Sequence, residues 1–109
     1  MINRNFICII GGAGHVGAPL GLALSSKGYN VALIDKNQKN IKKINNGIMP
    51  FVEDGCEKLL KKMIYKRKIF ATSQLNEVKK CKYIIVCIGT PINNRFKPDL
   101  KKFFNFFYS

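Results

Sequence analysis

The sequence predicts a single α/β domain in which a parallel sheet carries helices on both faces. Short apolar, β-branched segments alternate with segments of helical periodicity, and this alternation is typical of parallel strands joined by crossover helices. No internal repeat or linker interrupts the alternation, so the 109 residues are expected to form one unit. A chain of this length buries about two thirds of its unfolded surface, which is enough for one hydrophobic core.

The first half of the chain supplies two strands and two helices. Residues 5–10 (NFICII) form an apolar run that ends at glycine, as expected for a strand buried on both faces. At residues 15–27 the apolar side chains follow the helical period, and Gly28 stands at the helix C-cap. Residues 30–35 (NVALID) predict a second buried strand that ends in an acid, and residues 36–45 predict a helix with lysines on its outer face.

The second half of the chain repeats this alternation after a loop at residues 47–52. Residues 53–66 predict a helix, because acids lie near its start and lysines near its end, which suits the helix dipole. A short third strand is expected at residues 69–72, a small helix at residues 74–80, and a fourth strand at residues 83–88 (YIIVCI).

The C-terminal residues differ in character from the rest. We expect residues 1–100 to form the domain and residues 101–109 (KKFFNFFYS) to form an aromatic tail or a truncated helix. A sheet edge left uncovered, together with an aromatic tail, favours self-association as a dimer or aggregate.

The charge of the chain is strongly positive, with a formal net charge of +13. Lysines scattered along the chain carry most of it, and the only arginines are Arg4, Arg67 and Arg95. Proteins that recognise nucleic-acid bases and phosphates favour clustered arginines. We therefore expect the lysines to form a solvated surface and expect no nucleic-acid partner. The positive field still favours anionic ligands such as nucleotides. The longest apolar run is too short to span a bilayer and no signal peptide is visible, which predicts a cytoplasmic protein without a membrane partner.

The four cysteines show no metal-binding spacing. Cys8, Cys56, Cys81 and Cys87 contain no C-x-x-C pair, and one histidine alone is available to join them, so no metal site is expected. Cys8 and Cys87 lie in apolar, strand-like runs, which predicts buried thiols in a reducing compartment.

A glycine-rich turn follows the first predicted strand. Gly12, Gly14 and Gly17 form G-x-G-x-x-G between a strand and a helix, and Asp35 ends the next strand 18 residues after Gly17. In this setting the first glycine is expected to allow a tight turn, the second to admit a pyrophosphate, and the third to allow close helix packing. The context predicts a Rossmann-like, doubly wound but partial sheet of about four strands in the order 3-2-1-4. The alternative is a structural turn that is merely rich in glycine.

The same turn suggests which groups contact a dinucleotide. Free N–H groups around His15 and Val16 would face the anion at the helix start. Asp35 would accept hydrogen bonds from the adenosine ribose and repel a 2′-phosphate, which favours NAD over NADP. His15 is the only histidine, but its position in the phosphate loop favours a cofactor contact or a turn-filling role over catalysis.

Four separated segments, in the correct order, resemble the N-terminal NAD domain of the UDP-glucose/GDP-mannose (nucleotide-sugar) 6-dehydrogenase family. The resemblance covers residues 5–100. The segments are GAGHVGAPL at residues 12–20, INNGIMPFVE at residues 44–53, TS at residues 72–73, and CIGTP at residues 87–91 with PDL at residues 98–100.

The resemblance implies a function and one further site residue. Family members oxidise a sugar C6 hydroxyl to a carboxylate with two NAD+, and a UDP-sugar is the expected substrate class. By position, His15, Val16, Asp35 and Thr90 would contact the cofactor. Thr90 ends the fourth predicted strand, where a hydroxyl could reach the pyrophosphate or the nicotinamide ribose. The alternative is that the Thr-Pro pair only ends the strand and contacts no cofactor.

The catalytic part of the family pattern has no match here. The family's nucleophilic cysteine lies in a G-x-G-F-G-G-x-C segment that is absent from these 109 residues, so no catalytic residue is assigned. We therefore expect an NAD-binding portion that is inactive alone and meets a nucleotide sugar only if the missing half is supplied. The alternative is a non-catalytic NAD-sensing module that regulates a partner, although such a module has no evident need for the PFVE and GTP…PDL segments.

Overall fold

The computed structural model describes the backbone of residues 3–87 and the side chains of residues 6–87. Its four strands form one parallel sheet in the order β3-β2-β1-β4, which confirms the predicted strand order. The strands are β1 (Asn3–Ile10), β2 (Asn30–Ile34), β3 (Ile69–Thr72) and β4 (Cys81–Val86). The helices are α1 (Gly17–Ser26), α2 (Gln38–Asn45), α3 (Cys56–Tyr65) and a 3-10 helix (Leu75–Lys80).

Both faces of β1 and β2 are covered, which confirms the doubly wound arrangement, whereas most side chains of β4 are exposed. The larger core lies between the sheet and the three α-helices, with Ile9, Leu22 and Leu33 among its most buried side chains. A smaller cluster lies on the opposite face, where Leu75 and Val78 of the 3-10 helix pack against it. Successive side chains of the central strands point to opposite faces of the sheet and therefore contribute to two cores.

The helices begin later than the sequence predicts, and for α2 and α3 the residue before the helix gives the reason. Gly55 has a φ of +78°, a left-handed conformation that ends the preceding loop, so α3 begins at Cys56 rather than at residue 53. Asn37 caps α2 by accepting a hydrogen bond from the Asn40 N–H at 3.0 Å, so that helix begins at Gln38. Helix α1 begins at Gly17 rather than at residue 15.

One prediction about the cysteines is wrong. A disulfide joins Cys8, which is fully buried in β1, to Cys81 at the start of β4, although Cys8 was expected to be a reduced thiol. The two side chains lie in the same small cluster, and the β1–β4 register shifts between Asn3 and Ile7. This places the two Cα atoms 6.0 Å apart, within the range that a disulfide spans. Cys56 and Cys87 are free thiols, and Cys87, which was expected to be buried, is only partly buried because it follows the end of β4.

The outer edge of β3 is satisfied by a side chain rather than by another strand. The Asn45 amide donates to the Ala71 carbonyl at 2.8 Å, and its oxygen accepts from the Ala71 N–H at 2.8 Å. One side chain of α2 therefore makes both bonds that a neighbouring strand would make at this position.

Removing this pair should destabilise the domain. Replacing Asn45 with leucine is expected to lower the free energy of unfolding by about 2 kcal/mol, because the N–H and carbonyl of buried Ala71 both lose their partner. Urea denaturation followed by circular dichroism measures this. The matched control is Asn46→Leu, since the Asn46 side chain donates only to an exposed helical carbonyl, that of Lys42. Equal losses in the two variants would contradict the prediction.

Candidate functional site

The candidate site lies where the first two strands end. Ile10 of β1 is paired with Ile34 of β2 and, on its other side, with Val86 of β4. The glycine turn (residues 11–16) leaves β1 at this edge, directly beside Asp35. Because the chain runs outward from β1 to β3 and then returns to β4 on the other side of β1, this edge is a topological switch point. Ligands of open α/β sheets bind at such points.

The first part of the glycine turn differs from the sequence interpretation. The residue with a positive φ, +81°, is Gly11, so the tight turn depends on Gly11 rather than on Gly12. Gly12 is required for another reason. A Cβ atom at Gly12 would lie 2.7 Å from the Leu33 Cα and 2.8 Å from the Ile9 carbonyl oxygen. Gly12 therefore lets the turn cross close over β2.

Close helix packing depends on two glycines, of which the sequence analysis identified one. A Cβ at Gly17 would lie 2.5 Å from the Gly11 carbonyl oxygen, so Gly17 lets α1 approach the turn. A Cβ at Gly21 would lie 2.6 Å from a methyl carbon of Leu33, so Gly21 lets α1 approach the sheet. The spacing of four residues between these glycines was the available sequence signal, because it places both on one helix face.

At Gly14, neither the packing of the protein nor the backbone conformation requires a glycine. Its φ is not in the positive range, and a Cβ there would meet only the Gly11 carbonyl oxygen, at an ordinary 3.4 Å. A glycine in this position therefore leaves open space beside the backbone, and a bound group would be the reason for keeping it.

The N–H groups of the turn divide into two sets. Those of Gly11 and Gly12 donate to the Ile34 carbonyl at 2.8 and 3.1 Å. The Ala13 N–H donates to Asp35 Oδ2 at 3.0 Å, and the Gly14 N–H donates to the Gly11 carbonyl at 3.3 Å. The remaining set donates to no acceptor within the described part of the chain, and α1 has no side-chain N-cap. This set consists of the N–H groups of His15, Val16 and Gly17. Three N–H groups at a helix start can bind an anion.

Asp35 is brought to the turn, as its position predicted, and has a second role. Its Oδ2 accepts from the Ala13 N–H at 3.0 Å, and its Oδ1 accepts from the Asn37 N–H at 3.0 Å. Each carboxylate oxygen has two lone pairs, so both can accept a further hydrogen bond. The acid that was expected to meet a ribose therefore also holds the turn against β2.

The side chains of His15 and Val16 point to the surface. His15 is exposed, and its ring stacks on that of Phe51, with 4.2 Å between centroids and 27° between planes. Val16 is 67% exposed. The contact with Phe51 links the turn to the loop that precedes α3. Thr90 lies outside the described residues, so its place in the site stays a prediction.

A comparison with family models identifies the domain. Residues 5–107 match the model described as "UDP-glucose/GDP-mannose dehydrogenase family, NAD binding domain". The chain belongs to this family. The matched region is its NAD binding domain, so NAD is the cofactor, as the sequence predicted.

Individual relatives agree with this assignment. The chain is 32% identical to UDP-N-acetyl-D-mannosamine dehydrogenase of Pyrococcus horikoshii over 82% of its own length and 21% of the relative. It is 39% identical to GDP-mannose 6-dehydrogenase of Pseudomonas savastanoi pv. phaseolicola over 73% of its own length and 18% of the relative. The crystal structure of a GDP-mannose dehydrogenase ternary complex from Pseudomonas aeruginosa superposes with a TM-score of 0.83 at 32% identity, covering 89% of this chain and 22% of that one. The chain spans about a fifth of the length of these relatives.

Other chemical groups of this NAD binding domain give no sign of a second centre. At the start of α3, burial and the nearby Glu53 carboxylate raise the pKa of the Cys56 thiol above its ordinary value, which disfavours the nucleophilic thiolate. Among residues 6–87, no three His, Cys, Asp or Glu side chains are grouped so as to hold a metal ion. In the part of the chain described, no helix is long and apolar enough to cross a bilayer.

Proposed function

We propose that these residues bind NAD+ at the glycine turn, as the cofactor-binding portion of an enzyme that oxidises the C6 hydroxyl of a nucleotide sugar to a carboxylate. The observation that carries the cofactor site is Gly14. The packing of the protein does not require a glycine there, and the next three N–H groups have no acceptor among residues 3–87. The N–H groups of His15 and Val16 would bind the pyrophosphate. When bound, NAD+ supplies the hydride acceptor.

Each remaining site residue has a supporting part in this proposal. Gly12 and Gly17 allow the backbone contacts that shape the turn. Asp35 accepts hydrogen bonds from the adenosine ribose through the lone pairs that the backbone leaves free. Its negative charge opposes a 2′-phosphate, so NAD+ should bind more tightly than NADP+, although the neighbouring Lys36 and Lys39 reduce the difference. Thr90 is proposed as a contact on the sequence resemblance alone.

We place the oxidation itself outside these 109 residues. Of the four cysteines, Cys8 and Cys81 are joined to each other and Cys56 has a raised pKa, so none of these three is suited to act as a nucleophile. The nucleotide sugar would bind only when the rest of the enzyme is supplied. The relatives' names include both UDP- and GDP-sugars, and we favour a UDP-sugar in a cytoplasmic setting.

The test is a calorimetric titration with NAD+, NADP+ and a short DNA duplex. Gly14→Ala is expected to raise the Kd for NAD+ at least tenfold. Its free energy of unfolding should stay equal or rise slightly, because alanine fits this backbone without strain and restricts the unfolded chain. Asp35→Ala should weaken NAD+ binding and reduce the preference over NADP+.

The matched control is Gly28→Ala, which should show the opposite profile. Gly28 has a φ of +104° at the end of α1, away from the turn, so alanine there should cost about 1 kcal/mol of stability without changing the affinity for NAD+. Unchanged NAD+ affinity in Gly14→Ala would contradict the proposed site. Binding of DNA but not NAD+ by the folded chain would overturn the proposed function.

A further inference from the structure

Four residues around the glycine turn form a closed ring of hydrogen bonds. The Ala13 N–H donates to Asp35 Oδ2 at 3.0 Å, and Asp35 Oδ1 accepts from the Asn37 N–H at 3.0 Å. The Asn37 side-chain oxygen accepts from the Asn40 N–H at 3.0 Å. The ring closes where Asn40 Nδ2 donates to the Ala13 carbonyl oxygen at 3.2 Å. The ring therefore joins the turn after β1 to the first turn of α2. Its closing bond connects two residues that are 27 positions apart in the sequence.

We propose that Asn40 is a positioning residue for the cofactor, one that holds the Ala13–Gly14 peptide in a single orientation. This proposal rests on the proposed function, since it concerns the same NAD+ site. Asn40 is half-buried, and its backbone is held by the Asn37 cap. The helix start thus fixes the backbone from which the Asn40 side-chain amide reaches the Ala13 carbonyl.

The peptide between Ala13 and Gly14 can rotate because Gly14 restricts it little. Gly14 has no Cβ, so it accepts either sign of φ, and a Cβ there would meet only one atom, at 3.4 Å. The Ala13 side chain is buried and fixes the residue before it. Rotation of the intervening peptide would therefore be opposed mainly by the bond from Asn40 to its carbonyl and the long 3.3 Å bond from the Gly14 N–H to Gly11.

The orientation matters because of the charge on the ligand. With its carbonyl oxygen held by Asn40, the peptide keeps its negative end turned toward α2. The three N–H groups that follow this peptide have no acceptor in the described part of the chain. A rotated peptide would move its carbonyl oxygen away from α2, and a carbonyl oxygen close to those N–H groups would repel a pyrophosphate. Asn40 therefore acts on the affinity for NAD+ through the backbone, without touching the cofactor.

The test compares three variants of the 109-residue chain by calorimetry with NAD+ and by the amide NMR signal of Gly14 in the free protein. Asn40→Leu keeps a similar volume and removes the donor, and it should weaken NAD+ binding about tenfold and split or broaden the Gly14 signal. Asn40→Gln keeps the amide and should restore the affinity to within threefold of the wild type. Asn46→Leu, the same change at the other end of α2, should alter neither readout.

Two results would overturn the proposal. One is an Asn40→Leu protein with a single, unshifted Gly14 signal and an affinity within twofold of the wild type. The other is an equal loss of affinity in Asn46→Leu, which would indicate a general effect of damage to α2. If Asn40→Leu does not fold, Asn40→Asp carries the NMR comparison, because it has the same size, suits a helix start and cannot donate. If the wild type does not bind NAD+, the proposed function fails, whereas the Gly14 signal still decides whether Asn40 holds the peptide.

Discussion

Replacing Gly17 with alanine is expected to lower the free energy of unfolding by about 3 kcal/mol. The added Cβ would lie 2.5 Å from the Gly11 carbonyl oxygen, 2.7 Å from the Gly12 Cα and 3.1 Å from the Gly11 carbonyl carbon. All three are backbone atoms, so no side-chain rotation relieves the contact, and either α1 or the turn must shift.

The control for this variant is Gly14→Ala, the same change three residues earlier, where the Cβ meets only an ordinary contact. Urea denaturation followed by circular dichroism compares the two. Gly17→Ala should also lose NAD+ binding, because a displaced α1 carries the unpaired N–H groups with it. A Gly17→Ala protein within 1 kcal/mol of the wild type would show that the turn adapts more freely than the contacts indicate.

Opening the disulfide between Cys8 and Cys81 should have an effect of similar or greater size. The bond closes a loop with a sequence separation of 73 residues, and loop-closure entropy predicts a loss of about 4 kcal/mol on reduction. A small domain is stable by only about 5–15 kcal/mol, so the reduced protein should unfold at a much lower urea concentration. The same loss is expected for Cys81→Ser, whereas Cys56→Ser removes a free thiol and should change little.

Thiol counting checks the premise directly. Denatured protein prepared without reductant should show two reactive thiols, those of Cys56 and Cys87, and reduced protein should show four. Four thiols in both preparations, together with a urea midpoint that does not respond to reductant, would contradict the prediction.

The sheet could be predicted from the sequence because buried strands have a recognisable apolar composition. A strand covered on both faces must be apolar at nearly every position, and the runs around Ile9, Leu33 and Ala71 satisfy this condition. The bounds predicted for β3 match those observed, and β2 ends one residue before the predicted acid. Helix starts were less predictable, since they depend on a cap such as Asn37 or on the backbone conformation of Gly55.

The site could be located from the sequence but not fully described. The glycine spacing and the distant acid identified the turn, because both follow from the geometry of a strand, a turn and a helix. The roles of Gly12, Asn37 and Asn40 depend on contacts with β2 and between residues far apart in sequence, which no local pattern records. The Cys8–Cys81 bond escaped prediction for the same reason, because it depends on the pairing of two non-consecutive strands and a shift in their register.

The Asn45 side chain on β3 has a consequence for assembly. Its amide occupies the hydrogen-bonding positions of Ala71, so an added strand could not pair with Ala71 while Asn45 holds it. Endless stacking of copies needs two open edges per molecule, one to receive a strand and one to offer the next. Strand addition on the β3 side would first have to break both bonds between Asn45 and Ala71, which disfavours a fibre built through that edge.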